Sequence, residues 1–270
     1  MFRFHMEDEP LKLYQIKTDI IKHGDNIVDV ILQSIEKQGL RLEDGDILAL
    51  ASKIIAHAEG RTIKLGEIKP SEEAKKLAQK FAITPELAEL IMREAEEIYG
   101  GVEKVILTLK DEVLTPNAGI DNKNAPEGAV VLWPKKPEEW AKSIRGEIMH
   151  RTGKKVAVLI VDSGLRPLRL GTTGLALAVA GFKPIKDCRG EKDIFGKTLA
   201  ITLHMVADDL ASAAHFLMGE TSEKTPAVLI REAAVNFGDE AYGPHDMALS
   251  PKQCIFMNAL KPKRKWKFKR

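Results

Sequence analysis

Apolar positions along this chain follow the periods of strands and helices, and turn residues mark the boundaries between them. LKLYQIK, residues 11–17, predicts a first strand. Ile27, Val30, Ile31 and Ile35 recur at helical spacing, with Asp25 placed to cap the helix and Gly39 to stop it. DGDILALAS, 44–52, reads as a turn followed by a buried strand. Ser71 is placed to cap a helix through Phe81, and Thr84 with Pro85 opens another helix, expected to reach Gly100 and Gly101. VEKVILTL and AVVLWP predict strands flanking a polar loop, NAGIDNKNAPEG, at 117–128. PEEWAKSIRGEIMHRTG predicts an amphipathic helix ending at Gly153. KVAVLIVD, 155–162, is an apolar strand that closes on an aspartate. GLALAVAGF (174–182), TLAITL (198–203) and PAVLIRE (226–232) predict further strands. LHMVADDLASAAHFLMG predicts a helix with Ala207, Ala211 and Ala214 on a small-residue face suited to close packing. Strands and helices mix without regular βαβα alternation, so the expected class is α+β. No repeat or long linker interrupts the chain. One unit is expected, with a soft internal boundary around Tyr99 to Gly101.

Composition changes this picture little. The 270 residues suffice to bury a core, and 44% hydrophobic with 30% charged residues is a globular balance. No apolar run approaches a membrane span, and the first residues lack an apolar signal core, so a cytoplasmic protein is expected. Cys188 and Cys254 are too few for a disulfide framework or a zinc site. The net charge of +2 hides an asymmetry. The last ten residues, KPKRKWKFKR, hold seven Lys or Arg, which leaves 34 basic against 39 acidic residues in the rest. A body at about −5 argues against a nucleic-acid binder, and the tail at 261–270 reads as a solvated basic end.

Candidate chemistry lies in the loops. GEKDIFGKT, 190–198, ends like a phosphate loop but has five residues between its glycines where that motif needs four, and no clear strand runs into it. His204 and Asp208 sit at helical i, i+4 spacing, either as ligands or as a plain polar pair. His57, in SKIIAHAEGR, follows a buried strand among a lysine, an acid and an arginine. Asp162 ends an apolar strand, and a carboxylate there must be desolvated, paired or metal-bound. Asp121 lies in the polar loop and Glu220 after the small-residue helix. Three such carboxylates, with Arg166 and Arg169 close in sequence to one of them, would suit divalent ions holding a polyphosphate. Each alone also reads as a cap or turn residue, and spacing does not make the three converge.

SKIIAHAEGR, NAGIDNKN, DSGLRPLRLGTTGLALAVAGF and DIFGKTLAITLHMVADDLASAAHFLMGE, followed by TPAVLIR, together resemble the coenzyme F-420-0: L-glutamate ligases, the CofE-type γ-glutamyl ligase family. The resemblance runs in order from about residue 11 to residue 232 and is most specific from Asp162 to Arg231. It implies an α+β fold of mixed sheets with helices, forming an intertwined homodimer. It also implies a GTP-dependent amide ligase that activates a carboxylate of a deazaflavin precursor as an acyl phosphate, joins L-glutamate to it, and adds further γ-linked glutamates. Two divalent ions, Mg or Mn, and a monovalent cation such as K are expected. Carried over by position, Asp121 and Asp162 would hold one ion, and Ser163 and Glu220 a second. Thr18, Asp19, Ile20, Ile21, Ser52, Lys53, His57 and Asn124 would contact the nucleotide. So would the loop from Gly219 through Thr221, Ser222, Glu223, Lys224 and Thr225 to Pro226. Arg166 and Arg169 are the candidate catalytic cations. The departures fall on the same places. His57 stands where the family usually has a lysine, Gly164 is displaced by one position, Glu232 replaces a common glycine, and ETSEKTP lacks the glycines often found there. They leave open a paralogue acting on another amino acid or acceptor, and a nucleotide-binding scaffold that does not ligate.

Overall fold

The computed structural model describes residues 9–259, so the basic tail lies outside the described residues. The elements in chain order are β1 (Lys12–Ile16), α1 (Ile27–Lys37), β2 (Ile47–Ala51), α2 (Ser52–Ala58), β3 (Thr62–Lys64), α3 (Glu72–Phe81), α4 (Pro85–Glu94), β4 (Glu97–Val102), β5 (Val105–Lys110) and β6 (Val113–Pro116). They continue with β7 (Ala129–Val131), α5 (Pro137–Thr152), β8 (Ala157–Leu165), β9 (Thr172–Phe182), β10 (Lys186–Asp187), β11 (Leu203–His204), α6 (Val206–Met218), β12 (Ala227–Arg231), β13 (Phe237–Tyr242), α7 (Pro244–Met247) and α8 (Ile255–Ala259).

The main sheet runs β1-β12-β2-β8-β9-β13. Only β2 and β8 pair in parallel; the other neighbours are antiparallel. Both faces are covered, which is why these strands are continuous apolar runs and not alternating ones. Leu48, Leu50, Val158 and Ile160 point to one side and pack with Ile31 of α1 and Ile144 and Ile148 of α5. Ile47, Ala49, Leu159 and Val161 point to the other and meet Ala207, Ala211 and Ala214 of α6. The small face of α6 brings its backbone onto β9: a Cβ at Gly174 would lie 2.2 Å from the Ala211 carbonyl oxygen. A smaller unit packs α3 and α4 with the sheet β4-β5-β6, around Phe81, Ile91 and Ile106. The class is the mixed α+β expected.

Several boundaries differ from expectation. Asn26, not Asp25, caps α1: its side chain accepts from Asp29 N at 3.0 Å, while the Asp25 carboxylate accepts from Lys22 N at 2.7 Å in the preceding turn. The helix opened by Pro85 stops at Glu94 and does not reach the glycines; Glu97 to Val102 form β4. Gly101 belongs to that strand because a Cβ there would meet the Val105 carbonyl at 2.2 Å across the tight turn into β5. VILTL is followed by β6, a strand that the pattern did not predict. TLAITL is not a continuous strand: Thr198 makes an isolated bridge to Lys192, and Leu203 with the following His204 pairs with β10. The apolar strand does not end at Asp162 but continues to Leu165, forming a long hairpin with β9.

The two units are joined by a partly buried ion triad. Arg61, just after α2, donates to Glu94 at 2.8 Å, and Lys110 of β5 donates to the same oxygen at 2.7 Å. Burial pushes the Glu94 carboxyl up, and the Lys110 and Arg61 charges overcome it, leaving the group below its ordinary range. A carboxyl depressed in the folded state contributes stability at neutral pH, which is lost as pH falls through its folded value. Glu94→Gln is therefore expected to lower stability at pH 7 and to flatten the acid limb of a denaturation series. An unchanged limb would mean that the triad adds nothing.

Candidate active site

Strand directions in the main sheet decide what meets what. Because β2 and β8 are parallel and in register, with Ala51 beside Val161, both hand their next residues to the same edge of the sheet. Ser52 and Lys53 leave β2 there, and Asp162 and Ser163 lie there on β8. The antiparallel β12 starts at that edge, preceded by the 219–226 loop, and the Ala51 amide continues the ladder by donating to Pro226 O at 2.9 Å. β1, antiparallel to β12, ends there, so Thr18 to Ile21 follow, with Thr18 N donating to Lys224 O at 3.1 Å. The polar loop arrives from the second unit, its Asp121 paired with Val131 through backbone bonds of 3.0 and 2.8 Å.

A cavity of about 380 Å³ opens at this edge. Every residue expected to touch a nucleotide or a metal ion lines it: Thr18, Asp19, Ile20, Ile21, Ser52, Lys53, His57, Asp121, Asn124, Asp162, Ser163, Gly219, Glu220, Thr221, Ser222, Glu223, Lys224, Thr225 and Pro226. Its size suits a small-molecule ligand. Arg166 and Arg169 are not among the lining residues. Arg166 turns to α6, donating to Thr173 Oγ1 at 3.1 Å and lying 3.4 Å from the Asp208 carboxylate. Arg169 stays exposed in the hairpin turn. His204 pairs with Asp209 at 2.5 Å rather than with Asp208, away from the cavity.

Inside the cavity, lysines lie across the acids. Lys53 Nζ donates to Asp121 Oδ2 at 2.6 Å and to Lys123 O at 2.8 Å. Lys123 Nζ donates to Glu220 Oε2 at 2.9 Å. Burial alone would raise the Glu220 carboxyl, but Lys123, Thr172 and His215 hydrogen-bond it and hold it down at about 2. The Glu220 hydrogen bond in turn raises the Lys123 ammonium. Asp162 has weaker support. Burial pushes it up to about 6 against the Ser163 amide, the Trp133 indole N–H and the Lys53 charge. Burial pushes His57 below its ordinary range, and the Lys53 charge works the same way against a backbone contact at Asn124. The imidazole is therefore neutral at pH 7, with Nδ1 3.0 Å from Thr62 Oγ1. Gly219 has a positive φ of +73, and a Cβ there would strike the Glu223 carboxylate at 2.3 Å. That glycine lets the loop fold tightly, with Thr221 donating twice to Glu223 at 2.8 Å. Asn124 Nδ2 ties the polar loop to it through Thr221 O at 3.1 Å.

Sequence reasoning missed Lys123, His215, Thr172 and Trp133. Lys123 stood inside a quoted motif, two residues from Asp121. His215 is five residues before Glu220 on a helix whose next turn reaches it, at 2.9 Å.

The donor set, carboxylate and hydroxyl oxygens without sulfur, fits a hard divalent cation. Among the described residues no three His, Cys, Asp or Glu converge into a closed cage. The ammonium groups of Lys53 and Lys123 rest on Asp121 and Glu220 as a cation would.

The chain belongs to the F420-0:Gamma-glutamyl ligase family, whose profile matches residues 15–232. It is accordingly an amide-forming ligase. Three proteins named Coenzyme F420:L-glutamate ligase are similar to it over most of their length. That of Methanopyrus kandleri is 39% identical over 212 residues, 78% of this chain and 82% of its own. That of Methanocaldococcus jannaschii is 39% identical over 236 residues, 86% of this chain and 92% of its own. That of Archaeoglobus fulgidus is 37% identical, covering 78% and 83%.

Proposed function

We propose that this protein adds L-glutamate to coenzyme F-420-0 in a GTP-dependent reaction through an acyl phosphate, and extends the product with γ-linked glutamates. The names of its relatives support the acceptor and the amino acid. The observation that carries the need for metal is the charge of the cavity. Five carboxylates (Asp19, Asp121, Asp162, Glu220 and Glu223) face it against three lysines (Lys53, Lys123 and Lys224). Asp162 near 6 is still mostly ionised at pH 7, and His57, pushed down by burial, adds little positive charge. A nucleoside triphosphate, itself strongly anionic, is repelled by such a lining unless cations come with it. Asp121 with Asp162, and Ser163 with Glu220, are the residues that would hold two Mg or Mn ions. One or two carboxylates for each ion suit Mg, which completes its shell with water and phosphate oxygens. Bound there, the ions would offset phosphate charge and polarise the transferred phosphoryl group.

The chain's own groups do the rest. Lys53 and Lys123, released from Asp121 and Glu220, are free to meet phosphate oxygens. Thr18 to Ile21 and the 219–226 loop wall the cavity on either side of β12 and limit the water that would hydrolyse an acyl phosphate. GTP is expected to bind at least 100-fold more weakly in EDTA than with Mn, as read by calorimetry on the purified chain. Equal affinity in both would remove the ions from nucleotide binding.

Leu168 and Leu170 at the β8–β9 tip, Ile194, Phe195 and Ile201 in the following excursion, and Phe216 on α6 are all exposed large apolar residues. Such residues support burial against a second copy of the chain in an intertwined homodimer. Light scattering is expected to give twice the chain mass, and Leu168→Asp with Phe195→Asp to give a monomer. Cys188 and Cys254 are free, and no helix among the described residues is long and apolar enough to cross a membrane. Free thiols agree with work in the cytoplasm.

A further inference from the structure

Trp133, two residues beyond β7, touches both acid-bearing segments of the cavity without lining it. Its indole Nε1–H donates to Asp162 Oδ2. Its ring packs against Gly119, two residues before Asp121: a Cβ at Gly119 would lie 2.4 Å from the indole Cε2 and 2.6 Å from Cδ2 and Nε1. Its backbone carbonyl accepts from Arg61 Nε at 3.0 Å. Arg61 is fixed in turn by Glu94, which Lys110 also holds, and the side chains of this triad are only 11–18% exposed. The indole is itself 4% exposed, so no water competes for its position.

We propose that Trp133 is a positioning residue that sets the separation and orientation of the Asp121 and Asp162 carboxylates. This rests on the reading that those two acids share an ion. A carboxylate side chain on a strand can rotate about its side-chain bonds even where the backbone is paired, as it is at Asp162. A buried donor of fixed direction removes that freedom for Asp162. The flat indole face fixes how closely the Asp121 loop approaches β8, and glycine at 119 is what permits the contact. Partners one step removed from a metal ligand commonly change metal affinity by about 10- to 100-fold when lost.

The test uses the full-length protein and Mn with GDP, followed by electron paramagnetic resonance of free Mn. Trp133→Phe keeps an aromatic side chain beside Gly119 but removes the N–H together with the pyrrole ring; it is expected to weaken Mn binding by about 10-fold or more. Gly119→Ala keeps the N–H and displaces the indole. It is expected to weaken Mn binding as well, and it serves if the first variant fails to fold. A readout independent of metal is the indole proton resonance in nitrogen-15 spectra. The chain has three tryptophans, so Trp133→Phe identifies its signal by loss, and Asp162→Asn must move that signal. Mn affinity unchanged in both variants, or an indole signal indifferent to Asp162→Asn, overturns the proposal. A wild-type protein that takes up no Mn overturns it too. That outcome differs from the others because it fails the shared-ion reading itself.

Discussion

Asp162→Asn is expected to abolish turnover, lowering kcat by about 10³-fold or more while leaving the fold intact. The side chain keeps its size, and the amide can still face the Trp133 indole, so packing changes little. What goes is a negative charge on β8 just past the last position paired with β2, where the parallel pair delivers the cavity's groups. Stability should hold or rise. Burial lifts the Asp162 carboxyl to about 6, above the ordinary Asp value. An acid whose pKa is raised on folding is destabilising in its ionised form at pH 7. The variant removes that charge, so its melting temperature should be no lower than the wild type's. GDP release measured with F-420-0, L-glutamate, GTP and Mn gives the rate. A wild-type rate in the variant would take Asp162 out of the site.

Asp46→Ala should do the opposite, losing stability and keeping activity. Asp46 is 1% exposed at the start of β2, and its carboxylate accepts from Arg231 Nε and Nη2, both at 2.8 Å, and from Glu43 N at 2.7 Å. Arg231 ends β12, so the pair sits at the far end of the sheet from the cavity. Removing one partner of a buried pair leaves the other charge without compensation and costs about 3–5 kcal/mol. In a chain of this size that is a fall of about 5–9 °C in melting temperature. A nearby Glu43 contact and the Tyr14 ring over Arg231 soften the loss without replacing two hydrogen bonds. A shift under about 2 °C would show that the pair is not what holds β12 to β2, and a loss of kcat at 25 °C would tie the far end to the cavity.

The core strands were legible because a sheet covered on both faces leaves a continuous apolar run, and Asp162 was legible as the acid that broke one. Which acids converge was not, because that depends on β2 and β8 being parallel while β1 and β12 run against β2. No local pattern encodes strand direction. The resemblance supplied the grouping that periodicity could not. Arg166 shows the limit of reading proximity from sequence: β8 continues three residues past Asp162, to Leu165, which puts the Arg166 backbone about 13 Å along, and its guanidinium turns to Asp208. Trp133 read as strand hydrophobe because its polar edge is invisible to a hydropathy pattern. Lys123 and Glu220 meet across 97 positions, a distance in sequence that no motif spans. The missed end of α4 has a similar cause, since Ala95 and Glu96 are compatible with a helix and only the pairing of β4 with β5 decides against it.

Ligation is tested most directly by mass spectrometry of the purified protein with F-420-0, L-glutamate, GTP and Mn. Products heavier by whole glutamate residues are expected, with one GDP formed for each amide bond. GDP without a heavier product would contradict the acceptor and point to another one. Neither product nor GDP, with Mn and GTP bound, would contradict catalysis itself and leave a nucleotide-binding scaffold.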